Sequence, residues 1–229
     1  VFTSPTLGGL AALARPLGAT APELHFDPAD IPLTPIQREF FALASPTPGY
    51  WNQAVAVTTR PEVGFGALRE AWRAVLSRHA AFRLRFTRGA GGWKQSLVET
   101  AEAVPDLIEI PTPAPGAPAL AAAMAREAAA LQQSLDLAAG PLVRACWIPG
   151  ARGESGRLIA VAHHLVIDAV SWRIIFAEVA AALLGEAVPP AAVSFPAWAA
   201  AAARRDFAAV REFWRAEAAR AAVPLPSDF

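Results

Sequence analysis

Two hydrophobic periods alternate along the chain, one near 3.6 residues and one of two, and each change of period marks a predicted element. "SPTLGGLAALARPLG" offers Ser4 as a cap, Pro5 in the first turn, and Leu7, Leu10, Ala11 and Leu13 along one side, which predicts a short helix. The period vanishes over residues 15–31, where prolines and acidic side chains predict a linker. "LTPIQREFFALAS" restores it, with a Thr-Pro cap pair ahead of a helical face formed by Ile36, Phe40, Phe41 and Leu43. "NQAVAVTT" alternates as a strand does. Residues 64–79 then place Phe65, Leu68, Trp72, Val75 and Leu76 at amphipathic helix spacing.

"FRLRF" and "WKQSLVE", joined by the glycine turn "RGAGG", predict a hairpin over residues 82–99. "DLIEI" adds a short strand and residues 117–135 an alanine-rich helix, after which "LVRACWI" and "RLIAVAH" predict two more strands. Residues 170–184 and 194–219 are helical in period, and "VPLPSDF" closes the chain in extended form. Hairpins interspersed with helices predict an α/β fold of the α+β sandwich type, a mixed sheet flanked by helices.

Composition narrows the partners. Among 229 residues the 20 basic and 20 acidic side chains cancel, so no broad cationic field draws nucleic acid or an anionic membrane. The single cysteine, Cys146, lies in an apolar run, which excludes a disulfide framework, predicts a buried small hydrophobe and fits a reducing cytoplasm. The longest apolar runs are broken by His, Asp, Arg or Pro, and no basic-then-apolar leader is present. Neither a signal peptide nor a membrane-spanning helix is expected. Trp72, Trp147, Trp172 and Trp198 are expected in the core, and His79 as a packed histidine.

Chemistry concentrates in "AVAHHLVIDAVSWRII", residues 160–175. On a strand, Leu158, Ala160, Ala162 and His164 share one face while Ile159, Val161 and His163 share the other, so the two histidines do different work. One is packed into the protein and the other faces a cavity. Asp168, with Ser171, stands where a helix N-cap belongs. Diverging neighbours and the absence of a third ligand disfavour a metal site, and no "GxSxG" elbow supports Ser171 as a nucleophile. The surviving chemistry is a general base, with Asp168 held by a salt bridge for which Arg83 and Arg85 are available.

"HHLVIDAVSW" resembles the His-His-x-x-x-Asp motif of nonribosomal peptide synthetase condensation-type domains, and its "VSW" ending is similar to the epimerization branch. "LTPIQREFF", "WNQAVAV", "RHAAFRLRF" and "VSFPAWAAAAARR" resemble further family segments in the same order. The resemblance implies the N-terminal, chloramphenicol-acetyltransferase-like lobe over residues 32–229, with the C-terminal lobe absent. It implies a preceding carrier domain's last helix at residues 1–14 and the linker at 15–31.

The resemblance further implies epimerization, by acid–base catalysis, of an aminoacyl or peptidyl thioester delivered on a carrier's phosphopantetheine arm. His164 is then the catalytic base, opposite a glutamate from the second lobe, and His163, Asp168, Arg83, Ser171 and Trp172 support it. Arg83 is the expected salt-bridge partner of Asp168. Ala169 stands where the family has glycine, which predicts a crowded backbone. Gln37 and Asn52 are placed near the cavity. The same resemblance leaves peptide-bond condensation and a noncatalytic carrier-docking lobe as alternatives.

Overall fold

The structure is a computed structural model that describes residues 25–99, 103–188 and 193–220. The predicted helix at Ser4 to Gly18 lies outside them. Six α-helices are described: α1 (Pro35–Ala42), α2 (Phe65–Arg78), α3 (Ala117–Gln133), α4 (Ala169–Leu183), α5 (Phe195–Ala203) and α6 (Ala208–Ala219). The strands are β1 (Asn52–Thr58), β2 (Leu84–Gly89), β3 (Gly92–Leu97), β4 (Ile108–Glu109), β5 (Val143–Ile148) and β6 (Arg157–His163).

Four strands form a mixed sheet in the order β1-β6-β5-β4, with only β4 and β5 parallel, while β2 and β3 make a separate hairpin. The alternation along β6 sorts its side chains between two apolar clusters. Leu158, Ala160 and Ala162 join Leu68, Trp72, Val75 and Leu76 of α2 and Ile175 and Val179 of α4. Ile159 and Val161 instead meet Ala123 and Leu131 of α3, together with Cys146. The sheet is thus covered on both faces, which explains why β5 and β6 are mostly apolar where a one-sided strand would alternate with polar residues.

Several expectations change in detail. Residues 80–83 form a short 3-10 turn, so β2 begins at Leu84, later than "FRLRF" suggests. The helix expected over 194–219 is two helices, and the Asp206 carboxylate accepts the Ala208 N–H at 2.8 Å to start the second. Trp72, Trp147 and Trp172 are core residues, but Trp198 is 51 % exposed on α5. The end of the expected linker is held against the hairpin. Ile31 is buried and its N–H bonds to Gln95 O at 2.9 Å, while Leu97 N–H bonds to Pro28 O at 2.7 Å.

Helix α1 keeps Phe40 and Phe41 of its expected face against the core but not Ile36 and Leu43. Gln37 is buried beside Phe40, while Ile36 and Leu43 are exposed. The buried amide has a partner at each atom: it accepts from Thr34 N–H at 2.9 Å and donates to Gln95 Oε1 at 2.9 Å and to Leu165 O at 3.2 Å. Burying Gln37 costs little because both N–H donors and the carbonyl oxygen have partners. The outcome is a tie between α1, the hairpin and the loop that follows β6.

Candidate active site

The site is the corner between β6 and α4. Between His164 and Asp168, the side chains of Leu165, Val166 and Ile167 are all buried in the main core. Three inward apolar residues fix the turn and leave the two polar residues exposed on its outer side. Asp168 caps α4, its Oδ1 accepting from Ser171 N–H and Ser171 Oγ–H, each at 2.7 Å. These two donors hold its carboxyl below the ordinary carboxylate range. The cap expected from sequence is therefore present.

The salt bridge expected beside it is not. Arg83 instead donates from Nη1 to Ser77 O at 2.6 Å and from Nε to Val98 O at 3.2 Å, tying the end of α2 to the hairpin. Arg85 is buried, bonded to Ala139 O and Leu84 O. Its guanidinium lies so close to Gly140, at φ 78°, that a side chain there would have to displace it and adopt a left-handed backbone. The physical reason for the correction is exposure: the Asp168 carboxylate sits in solvent with a local pair of donors and needs no buried cation. Ala169 is also unstrained. It occupies the first turn of α4, and among the described residues only Ala44 combines a side chain with positive φ.

The two histidines separate as the alternation predicts. His163 is fully buried, with Nε2–H donating to Pro48 O at 2.7 Å and Nδ1 accepting from Leu165 N–H at 3.2 Å. A carbonyl can only accept and an amide can only donate, so this ring is a neutral Nε2–H imidazole with both nitrogens spent. Burial pushes it further toward the neutral form. Phe40 meets its ring edge-on at 5.6 Å between centroids.

His164 has the opposite tautomer. Nδ1 lies 2.8 Å from Ile167 O, which demands Nδ1–H, and Nε2 lies 3.0 Å from the Gln53 carboxamide nitrogen, which demands a lone pair on Nε2. The ring is exposed and lines a hollow of about 490 Å³ whose other walls include Phe40, Leu43, Trp51, Phe195 and Asp168. An imidazole with a fixed proton on one nitrogen and a bare second nitrogen beside an apolar hollow can remove a proton from a bound molecule.

Gln53 is not among the residues that the sequence singles out. Asn52 is, yet it points to the other face and donates to Gln132 O at 3.2 Å. Period-two alternation carries the missing signal, because Gln53 pairs in register with Ala162 and so shares the His164 face. Trp172 reaches the same place from α4, donating its indole N–H to Gln53 Oε1 at 3.1 Å. Cys146 is remote and buried, its thiol pushed up to about 12, and takes no part. No cluster of three or more His, Cys, Asp or Glu side chains able to hold a metal occurs among the described residues. No helix among them is long and apolar enough to cross a membrane.

Fold and corner together define a doubly covered mixed-sheet lobe of chloramphenicol-acetyltransferase type that presents one imidazole to an apolar hollow. The chain belongs to the Condensation domain family, whose model matches residues 28–229. A linear gramicidin synthase from Brevibacillus parabrevis is 38 % identical over 74 % of the chain, and chondramide synthase cmdD of Chondromyces crocatus 32 % over 99 %. The matched regions are 2 % and 6 % of those proteins. Among solved structures, the epimerization domain from the third module of tyrocidine synthetase B is 28 % identical, with TM-score 0.72 over 90 % of this chain and 49 % of that one. The starter condensation domain of rhizomide synthetase, 22 % identical with TM-score 0.69 over 85 % of this chain and 49 % of that one, shows the shared fold.

Proposed function

We propose that this chain is the histidine-bearing lobe of a nonribosomal peptide synthetase epimerization domain, converting the α-carbon of a carrier-bound aminoacyl or peptidyl thioester from L to D. The carrying observation is the unprotonated Nε2 of exposed His164, set by the Nδ1–H bond to Ile167 O. The "VSW" segment at Val170 to Trp172 and the likeness to a tyrocidine synthetase epimerization domain support this branch over the others.

The substrate arrives on a carrier's phosphopantetheine arm, and the partner is an upstream carrier domain. The apolar walls formed by Phe40, Trp51 and Phe195 suit the acyl side chain and keep water from the thioester. His164 Nε2 takes the α-proton, and Ile167 O stabilises the resulting imidazolium through the Nδ1–H already pointed at it. The thioester carbonyl spreads the carbanion charge as an enolate. Return of a proton to the opposite face is the task of a group from a second lobe, in keeping with a match that covers half of the solved domain.

The test uses the complete two-lobed domain, an L-aminoacyl carrier and deuterated buffer. Deuterium at the α-carbon with a mixed D/L product is expected. Peptide-bond formation onto a second aminoacyl carrier without α-deuterium would overturn the assignment in favour of condensation.

A further inference from the structure

The strongest unassigned feature is a chain of four groups drawn from three elements. It runs from Ile167 O through both ring nitrogens of His164 and the Gln53 carboxamide to the Trp172 indole, with heavy-atom separations of 2.8, 3.0 and 3.1 Å. Its two ends are chemically unambiguous. The Ile167 carbonyl only accepts, so Nδ1 carries the proton; the indole N–H only donates, so Gln53 turns its oxygen to Trp172 and its NH2 to His164. The two ends favour the same tautomer, and they meet at the same ring.

Packing holds the chain in place. Gln53 sits on edge strand β1 opposite Ala162, whose small side chain leaves the amide room to lean along the strand to His164. Trp172 is buried at 4 % exposure and stacks on Phe176 one turn further along α4, with ring centroids 5.6 Å apart and planes 16° from parallel. The indole is therefore the fixed end and the carboxamide the adjustable middle. His164 faces the hollow beside α1, whereas Gln53 and Trp172 line a second groove with Val55, Arg173 and Phe176. The Gln53–His164 hydrogen bond lies at the boundary between the two.

We propose that Gln53 is the positioning residue of this site: its carboxamide, turned by Trp172, holds His164 with Nε2 bare and directed to the boundary between the two hollows. Its catalytic consequence rests on the proposed function; the tautomer assignment does not. The contact exists only while Nε2 keeps its lone pair, so it selects the base form of the ring and yields when a substrate C–H takes its place. Trp172 thereby acts on the base through a residue 119 positions away in sequence.

Long-range nitrogen–proton NMR of this chain above the ordinary histidine range reads each ring nitrogen directly, and its four histidines make assignment tractable. His164 is expected as Nδ1–H with bare Nε2. Gln53→Glu, which can only accept, should bring a proton to Nε2 beside the one that Ile167 O keeps on Nδ1, and Trp172→Phe, which frees the amide to turn, should weaken the selection and admit some Nε2–H form. His163 remains Nε2–H in every variant and reports an intact fold. A parent His164 with its proton on Nε2, or a His164 signal unmoved by Gln53→Glu, would overturn the proposal.

In the complete domain, Gln53→Leu should lower kcat for α-deuterium uptake on the order of tenfold to a hundredfold with KM nearly unchanged. An unchanged kcat would overturn the positioning role. A parent domain that takes up no deuterium would defeat the epimerase reading, while the NMR assignment would still stand or fall by its own result.

Discussion

His163 and His164 are adjacent in sequence and opposite in every property that matters for chemistry. His163 spends both nitrogens on backbone partners and is closed off from solvent. His164 commits one nitrogen to backbone, offers the other to a side chain that can move, and lies open to a hollow. Strand alternation makes the difference: the pair straddles the end of β6, so one ring turns to Phe40 and Pro48 and the next to Gln53. A doubled histidine is here one closed ring and one open ring, and one cannot replace the other.

That division predicts unequal responses to mutation. His163→Ala should show the largest loss of stability, about 2–4 kcal/mol in denaturant unfolding with unchanged m, because it opens a cavity and strands Pro48 O and Leu165 N–H. The parent should also lose stability as pH falls below the ordinary histidine value of 6.5, since the unfolded ring binds a proton that the buried ring resists. His163→Ala should lack that limb. An equally steep limb in the variant would place its origin elsewhere.

A smaller effect belongs to Asp168. Asp168→Ala removes the α4 cap and should cost about 1 kcal/mol at neutral pH. Ser171 holds its folded-state carboxyl below the ordinary value of 3.8, so the associated stabilisation is present above that value and is lost as pH falls through the lower folded one. Asp168→Asn keeps an acceptor for Ser171 and should flatten this acid limb while sparing neutral stability. A large neutral-pH loss in Asp168→Asn would point to a charge partner and revive the ion pair that Arg83 does not make.

Much of this corner is legible in one sequence because it is local. "HHLVID" carries the alternation, the buried turn and the cap within six residues, and the helix that follows begins where Asp168 and Ser171 place it. Pairings across the fold are not legible in the same way. Charge complementarity suggests Arg83 for Asp168, yet the arginine finds the carbonyls of Ser77 and Val98 and the aspartate finds Ser171 three residues away. Gln53 gains meaning only once β1 pairs with β6 in a known register and α4 brings Trp172 across. Helix α1 shows the same limit, since its periodicity suggests Ile36 and Leu43 as core, whereas they border the hollow and Gln37 is buried.

The most direct test of the division is removal of the exposed ring. In the complete domain, with α-proton washout from a carrier-bound L-aminoacyl thioester as the readout, His164→Ala should slow exchange by about 10²–10⁴-fold, the range of a lost general base, and leave the unfolding midpoint within error. Washout at the parent rate in a folded His164→Ala protein would contradict the account and leave the histidine corner as architecture alone.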